Sequence, residues 1–154
     1  MNQTSRFAAK PQRDFAGRYF TNNSGAAAVE FAVVFPLFLL ITIAVLAYGI
    51  YYGAAHSVQQ LAADAARSSV PGLSTVERAT LAQSYVSANA ASYPLLHANK
   101  VTVATSPGPA SDDDMVVTVT YDSRALPIWG FSTLLPLPSP TIQRIAVIRR
   151  GGPQ

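Results

Sequence analysis

Cysteine is absent from the 154 residues, so the chain can build neither a disulfide nor a thiolate metal site. Charge is scarce: Asp, Glu, Lys and Arg make up 12% of the chain, against 49% hydrophobic residues. That balance is too apolar for an ordinary soluble domain. Histidine occurs twice, at His56 and His97, and neither has a second metal ligand at useful spacing. GxSxG, HExxH and Walker sequences are missing, and no serine–lysine or serine–histidine pairing is legible. The expectation is a chain that is not an enzyme, with no catalytic residue, no metal site and no cofactor. The net charge of +3 traces to the first 24 residues, where Arg6, Lys10, Arg13 and Arg18 stand against Asp14 alone. The basic balance therefore describes a flank, and no nucleic-acid partner is expected.

What the chain does have is one long apolar run. From Phe31 to Ala63 there is no Asp, Glu, Lys or Arg. Its first part, Phe31 to Ile50, reads FAVVFPLFLLITIAVLAYGI. Twenty helical residues span about 30 Å, the hydrocarbon thickness of a bilayer. A buried helix apolar on every face would need a larger protein around it, since roughly 95 residues remain once this segment is set aside. A transmembrane helix in contact with membrane lipid is the reading that fits. Four basic residues precede it, while only Arg67 and Arg78 follow at comparable distance. The positive-inside rule then puts the N-terminus in the cytoplasm and the C-terminal domain outside. Tyr48, Tyr51 and Tyr52 lie where an aromatic belt would mark the exit. A cleaved secretory signal would have a shorter apolar region, with its cleavage site earlier than Ala54-Ala55.

Glu30 is the one carboxylate at the edge of this run. Near an interface its cost is lower than the 2.5–3.5 kcal/mol or so of a charge at a membrane-helix centre. A side chain reaching headgroup water explains it. A second account starts from spacing. Were the chain cut after Gly25, Ala26 would carry a free amine and Glu30 would be the fifth residue. The amine, in the same chain or a neighbour, could then neutralise the carboxylate. Glu30 would also lie in the first helical turn, where the helix dipole favours negative charge.

The string GAAAVEFAVVFPLFLLITIAVLAYGIYYG, residues 25–53, closely resembles the N-terminal signature of TadE-like proteins of the Tad/Flp pilus system. The elements are Gly25, Ala28-Val29-Glu30-Phe31-Ala32, Pro36, the apolar run, and Gly49 with Tyr51-Tyr52. Ala65-Ala66-Arg67 matches a further family element, while Ser68-Ser69-Val70 stands where a glycine and a second arginine usually follow. The specific likeness covers Ser24 to about Ser69. It implies a minor pilin or pseudopilin acting in assembly of a type IVb pilus at the bacterial inner membrane. The implied partners are other pilins, Tad assembly-platform proteins and a prepilin peptidase that cuts the Gly25–Ala26 bond. Gly25, Ala26, Glu30 and Phe31 are the processing residues so implied.

Pro36 removes one helical hydrogen bond, to the carbonyl of Ala32, and a bend is expected there. Gly49 and Gly53 form a GxxxG pair that would let two helices approach, in a homo- or hetero-oligomer. With Pro36 they are the candidate helix-packing residues.

Beyond Tyr52 the helix is expected to continue outward on a narrow seam of Tyr51, Ala54, Val58, Leu61, Ala65 and Ser68, sized for one partner helix. Asp64 and Arg67 should pair on another face, and Pro71-Gly72 ends the helix. Ser74 to Glu77 is a capping-box pattern opening a second helix, with Val76, Ala79, Ala82, Val86, Ala90 and Tyr93 as its apolar stripe and Pro94 at its close. Lys100–Thr105, Met115–Tyr121 and Thr141–Arg149 alternate as strands, the first two forming an antiparallel hairpin. Asp112-Asp113-Asp114 reads as a solvated turn, because it lacks the spacing of a calcium loop. No regular element fits Ala125–Pro140, whose Leu126, Ile128, Trp129, Phe131, Leu134 and Leu135 either cap the sheet or face a membrane or partner.

The expected class is α+β, with a long N-terminal transmembrane helix extending outward and a second helix packed on a small antiparallel sheet of about three strands, a pilin-like build. The expected divisions are a basic leader over 1–25, the transmembrane helix over 26–53, its extension over 54–70, an α+β head over 71–150 and a tail over 151–154. A membrane-tethered binding or scaffold module unrelated to pili is the competing reading. A membrane-bound hydrolase lacks any legible constellation.

Overall fold

The computed structural model describes residues 23–108 and 114–149. The basic side chains of the leader, Asp112, Asp113 and the tail at 151–154 lie outside the described residues. The chain divides into two compact units, Met1–Ile41 and Thr42–Gln154. The class is α+β as the sequence predicts, with a long helix α1 (Asn23–Ser68), a second helix α2 (Thr75–Asn89) and three strands, β1 (Val101–Pro107), β2 (Asp114–Asp122) and β3 (Thr141–Arg149).

In the first unit every residue from Gly25 to Ile41 is exposed. From Phe31 to Ile41 these side chains are apolar on all sides of the helix, including Val33 at 72% and Phe38 at 63% exposure, and Glu30 stands at the edge of that run. Phe31 and Phe35, one turn apart, stack with ring centroids 5.1 Å apart. Helix α1 runs through Pro36 without interruption. The helix is described from Asn23 onward, seven residues before Glu30, so in the intact chain Glu30 lies beyond the first turn. The helix-dipole argument for Glu30 therefore belongs only to a chain that begins at Ala26.

In the second unit α1 buries Ala54, Ala55, Val58, Leu61, Ala62, Ala65 and Ala66. This stripe is wider than the predicted seam. Ala55, Ala62 and Ala66 join it, while Tyr51 and Ser68 are only half-buried. The face is therefore not cut for one partner helix. Its core neighbours include Ala82 and Val86 of α2 and Val117, Val119, Tyr121 and Ile142 of the sheet. The few larger side chains, led by fully buried Leu61, each contribute about 1.5–3 kcal/mol of apolar burial.

Helix α1 ends before Pro71-Gly72 as expected, and an added side chain at Gly72 would meet the Arg78 backbone nitrogen at 2.8 Å. The capping box is present: Ser74 Oγ accepts from the Glu77 amide at 3.2 Å. Glu77 Oε2 reaches one residue further back and accepts from the Leu73 amide at 2.8 Å. The α2 stripe holds at Ala82, Val86 and Ala90, but Val76 is 76% exposed, and Arg78 is buried instead. Arg78 lays its stem in the core and donates from Nη2 to the Ile148 carbonyl at 3.3 Å. A one-turn 3-10 helix, Ala90–Ser92, follows before Pro94.

The sheet order is β1-β2-β3, antiparallel throughout. Val101, Tyr121 and Ile142 are in register, as are Val103, Val119 and Arg144, and Thr105, Val117 and Ala146. These rows form one face of the sheet, with Tyr121, Val119, Val117 and Ile142 fully or almost fully buried. Asp114 is a correction to the solvated turn: it is 5% exposed, begins β2, and pairs with Arg149 of β3 at 2.8 Å.

Candidate functional site: the apolar anchor and its exit

Gly25, Ala26, Glu30 and Phe31 all lie on α1 and are exposed. The Gly25–Ala26 bond is thus inside the helix, with open space where a Cβ of Gly25 would stand. Pro36 sits eleven residues after Gly25, within the exposed apolar stretch. By length and composition this helix is long and apolar enough to cross a membrane.

The two glycines of the GxxxG pair differ. Gly49 has nothing within 4 Å of its missing side chain. Gly53 is met by Leu95 of the same chain, whose Cδ1 would lie 3.0 Å from an added Cβ. Leu95 is held at a positive φ of 64° in the turn after Pro94, which aims its side chain back at α1. The glycine at 53 thus has a partner within the head.

The three tyrosines of the predicted belt divide similarly. Tyr52 is 63% exposed. Tyr48 donates its hydroxyl to the Pro136 carbonyl, and Tyr51 donates to the Ser139 carbonyl at 3.1 Å. Both acceptors lie in the proline-rich segment. That segment contains 3-10 turns at Ser123–Ala125 and Pro127–Phe131. Ser123 donates through its amide and hydroxyl to the Pro140 carbonyl at 2.8 and 2.7 Å, while its own carbonyl accepts from Trp129 Nε1 at 2.6 Å. Leu126, Ile128 and Leu135 are buried, as capping of the core requires, whereas Leu134 remains 63% exposed.

On the extension of α1, the predicted Asp64–Arg67 pair is present at 2.6 Å. The Asp64 carboxylate also accepts from the Tyr93 hydroxyl at 2.8 Å, and the Tyr93 oxygen lies 3.1 Å from the Tyr85 hydroxyl. Burial, then the contacts with Tyr85 and Asp64, push the Tyr93 hydroxyl far above the ordinary phenol value. Tyr121, whose hydroxyl donates to the Leu95 carbonyl at 3.0 Å, is also raised, chiefly by burial. Sequence reasoning placed Tyr93 only as a stripe residue. His56 lies on α1 with Nε2 2.9 Å from Gln60 Nε2, and His97 precedes a 3-10 turn at Ala98–Lys100. Among the described residues no three His, Cys, Asp or Glu side chains gather as a metal-holding group.

These features define a class: one N-terminal apolar helix with the dimensions of a single-pass membrane anchor, bearing a small α+β head. Residues 25–67 match the family model described as TadE-like protein. The matched segment contains Gly25, Glu30, Phe31, Pro36 and both glycines of the pair, and ends on Arg67. Comparison with curated proteins and with solved structures gives no match.

Proposed function

We propose that the protein is a minor pilin or pseudopilin that acts in assembly of a Tad/Flp-type pilus. It is anchored in the bacterial inner membrane with its N-terminus cytoplasmic and its head on the far side. The observation that carries this reading is the coincidence of the TadE-like segment with a helix whose Phe31–Ile41 stretch is apolar and exposed on all sides. Such a surface is covered by lipid or by other helices, and a pilin uses both in turn. Other pilins and assembly-platform proteins are the proposed partners, met through this helix. A prepilin peptidase is the proposed processing enzyme at Gly25–Ala26. The chain acts by packing and not as an enzyme.

Glu30 supplies the test. In a bundle of apolar helices a lone carboxylate is costly, and pairing with the Ala26 amine of the same or a neighbouring chain removes most of that cost. Glu30→Ala is expected to abolish pilus assembly while leaving the protein in the membrane. Unchanged piliation would favour a tether unrelated to pili. N-terminal sequencing of protein extracted from membranes separates the processing step: a start at Ala26 supports cleavage, and a start at Met1 rules it out.

A further inference from the structure

Helix α1 and the proline-rich segment enclose a groove of about 250 Å3. One wall is Ile43, Leu46 and Ile50 of the helix, and the other is Pro127, Ile128 and Phe131. All of these belong to the second unit. From Ala125 to Pro140 the chain carries no Asp, Glu, Lys or Arg. Leu134 and Phe131 are exposed beside the groove, and so are Val45, Leu46 and Tyr52 on the helix. An exposed apolar surface of this kind marks an interaction site.

Length decides what covers it. A hydrocarbon layer of about 30 Å takes about twenty helical residues. Within the charge-free run, Phe31 through Ile41 provides eleven, and counting from Ala26 provides only sixteen. The remaining turns must come from the residues after Ile41, which form the helical wall of the groove. The Tyr48 and Tyr51 hydroxyls tie Pro136 and Ser139 to the same stretch of helix. The segment therefore stands at the depth where α1 leaves the hydrocarbon.

We infer that the Pro127–Leu134 segment dips into the outer edge of the bilayer, and that lipid acyl chains fill the groove it forms with α1. The protein thus holds the membrane at two places, by a spanning helix and by an interfacial loop. The backbone chemistry suits that depth. Irregular backbone is tolerated there only if its polar groups are satisfied. Leu134 and Leu135 both donate to the Phe131 carbonyl at 2.9 Å, Ser132 donates to Trp129 at 3.2 Å, and Pro127, Pro136 and Pro138 have no amide hydrogen to satisfy. Trp129 is half-buried beside the exposed apolar residues, an amphipathic ring of the type that favours the headgroup level.

The inference rests on reading α1 as a membrane anchor, and the absence of cysteine allows the two to be tested separately. Single-cysteine variants Leu134→Cys, Val34→Cys and Thr102→Cys of the full chain would be spin-labelled in vesicles of phosphatidylethanolamine and phosphatidylglycerol. Collision with oxygen, which partitions into lipid, is compared with collision with a water-soluble nickel chelate. The expected result is that the labels at 34 and 134 both favour oxygen several-fold over the label at 102, an exposed sheet position. A lipid-like signal at 34 with a water-like signal at 134 overturns the loop contact and leaves the anchor intact. A water-like signal at 34 overturns both. Leu134 is exposed, so its replacement leaves the core untouched.

Discussion

Tyr93 and Asp64 are 29 residues apart in sequence, and their side chains meet at 2.8 Å, joining the end of the second helical segment to the outward extension of α1. A carboxylate can only accept, so the tyrosine donates to it, and Tyr85 in turn donates to Tyr93. Replacing Tyr93 by Phe keeps the ring and deletes this relay. The expected cost is about 1.5–3 kcal/mol, the range for a hydrogen bond to a charged group. Urea unfolding in detergent micelles measures it. Asp64→Ala in the Tyr93→Phe background should then add only the few tenths of a kcal/mol or so of its exposed pair with Arg67, because the shared contact is already gone.

The same tyrosine gives the head a sensitivity to alkali. Tyr93 and Tyr121 both have hydroxyls raised above the value of about 10 that an unfolded chain shows. Below that value both states hold these protons, and neither group makes stability depend on pH. Above it the unfolded chain loses phenolic protons first, so stability falls as pH rises toward the folded values. Unfolding midpoints measured from neutral pH into the alkaline range should stay level and then drop. Tyr93→Phe should lessen the drop. A midpoint that rose above pH ~10 would contradict this assignment.

Two leucines on one helix should behave in opposite ways. Leu61 is fully buried in the head, and Leu61→Ala is expected to lower its stability by about 2–5 kcal/mol. Leu37 is 59% exposed in the apolar stretch, and Leu37→Ala should change the unfolding of the head by less than about 0.5 kcal/mol. Thermal melts of the two variants in the same detergent make the comparison.

The glycines of the GxxxG pair part company for a related reason. Gly53→Leu forces a side chain onto Leu95 and should destabilise the head by about 1–3 kcal/mol. An added Cβ at Gly49 meets nothing within 4 Å, so Gly49→Ala should not lower the melt and should raise stability by up to about 1 kcal/mol through helix propensity. Should Gly49 be a packing point for a second helix, its variant would show the defect in cross-linked oligomers and not in the melt.

Much of this arrangement was legible in the sequence because the physics there is local. Charge-free length marks α1, the serine and glutamate of the capping box mark the start of α2, and alternation places β3 at Thr141–Arg149, the residues it occupies. Burial was harder to read where it depends on distant neighbours. Alanine is apolar enough for either side of a helix, so spacing alone predicts an α1 stripe narrower than the buried one. Only the folded head shows that Ala55, Ala62 and Ala66 are covered. Val76 fits the helical period yet lies in the first turn of α2, where it is left exposed, while Arg78 is drawn inward by an acceptor in β3, seventy residues away. The 3-10 turn at Pro127–Phe131 has neither a period of 3.6 nor of 2 over enough residues to announce itself. At the candidate site, Gly25, Glu30, Phe31 and Pro36 were visible as a motif. The pairings of Gly53 with Leu95 and of Tyr48 with Pro136 were not, since each joins residues far apart along the chain.

The bond from Tyr48 to Pro136 has a consequence for the order in which the molecule is made. Its two ends are 88 residues apart, and Gln59 reaches across 86 to the Ile145 carbonyl. A ribosome has released α1 long before it has synthesised the acceptors that complete the head. The head therefore cannot close until the chain has been made through Ile145, and until then α1 has no sheet to pack against.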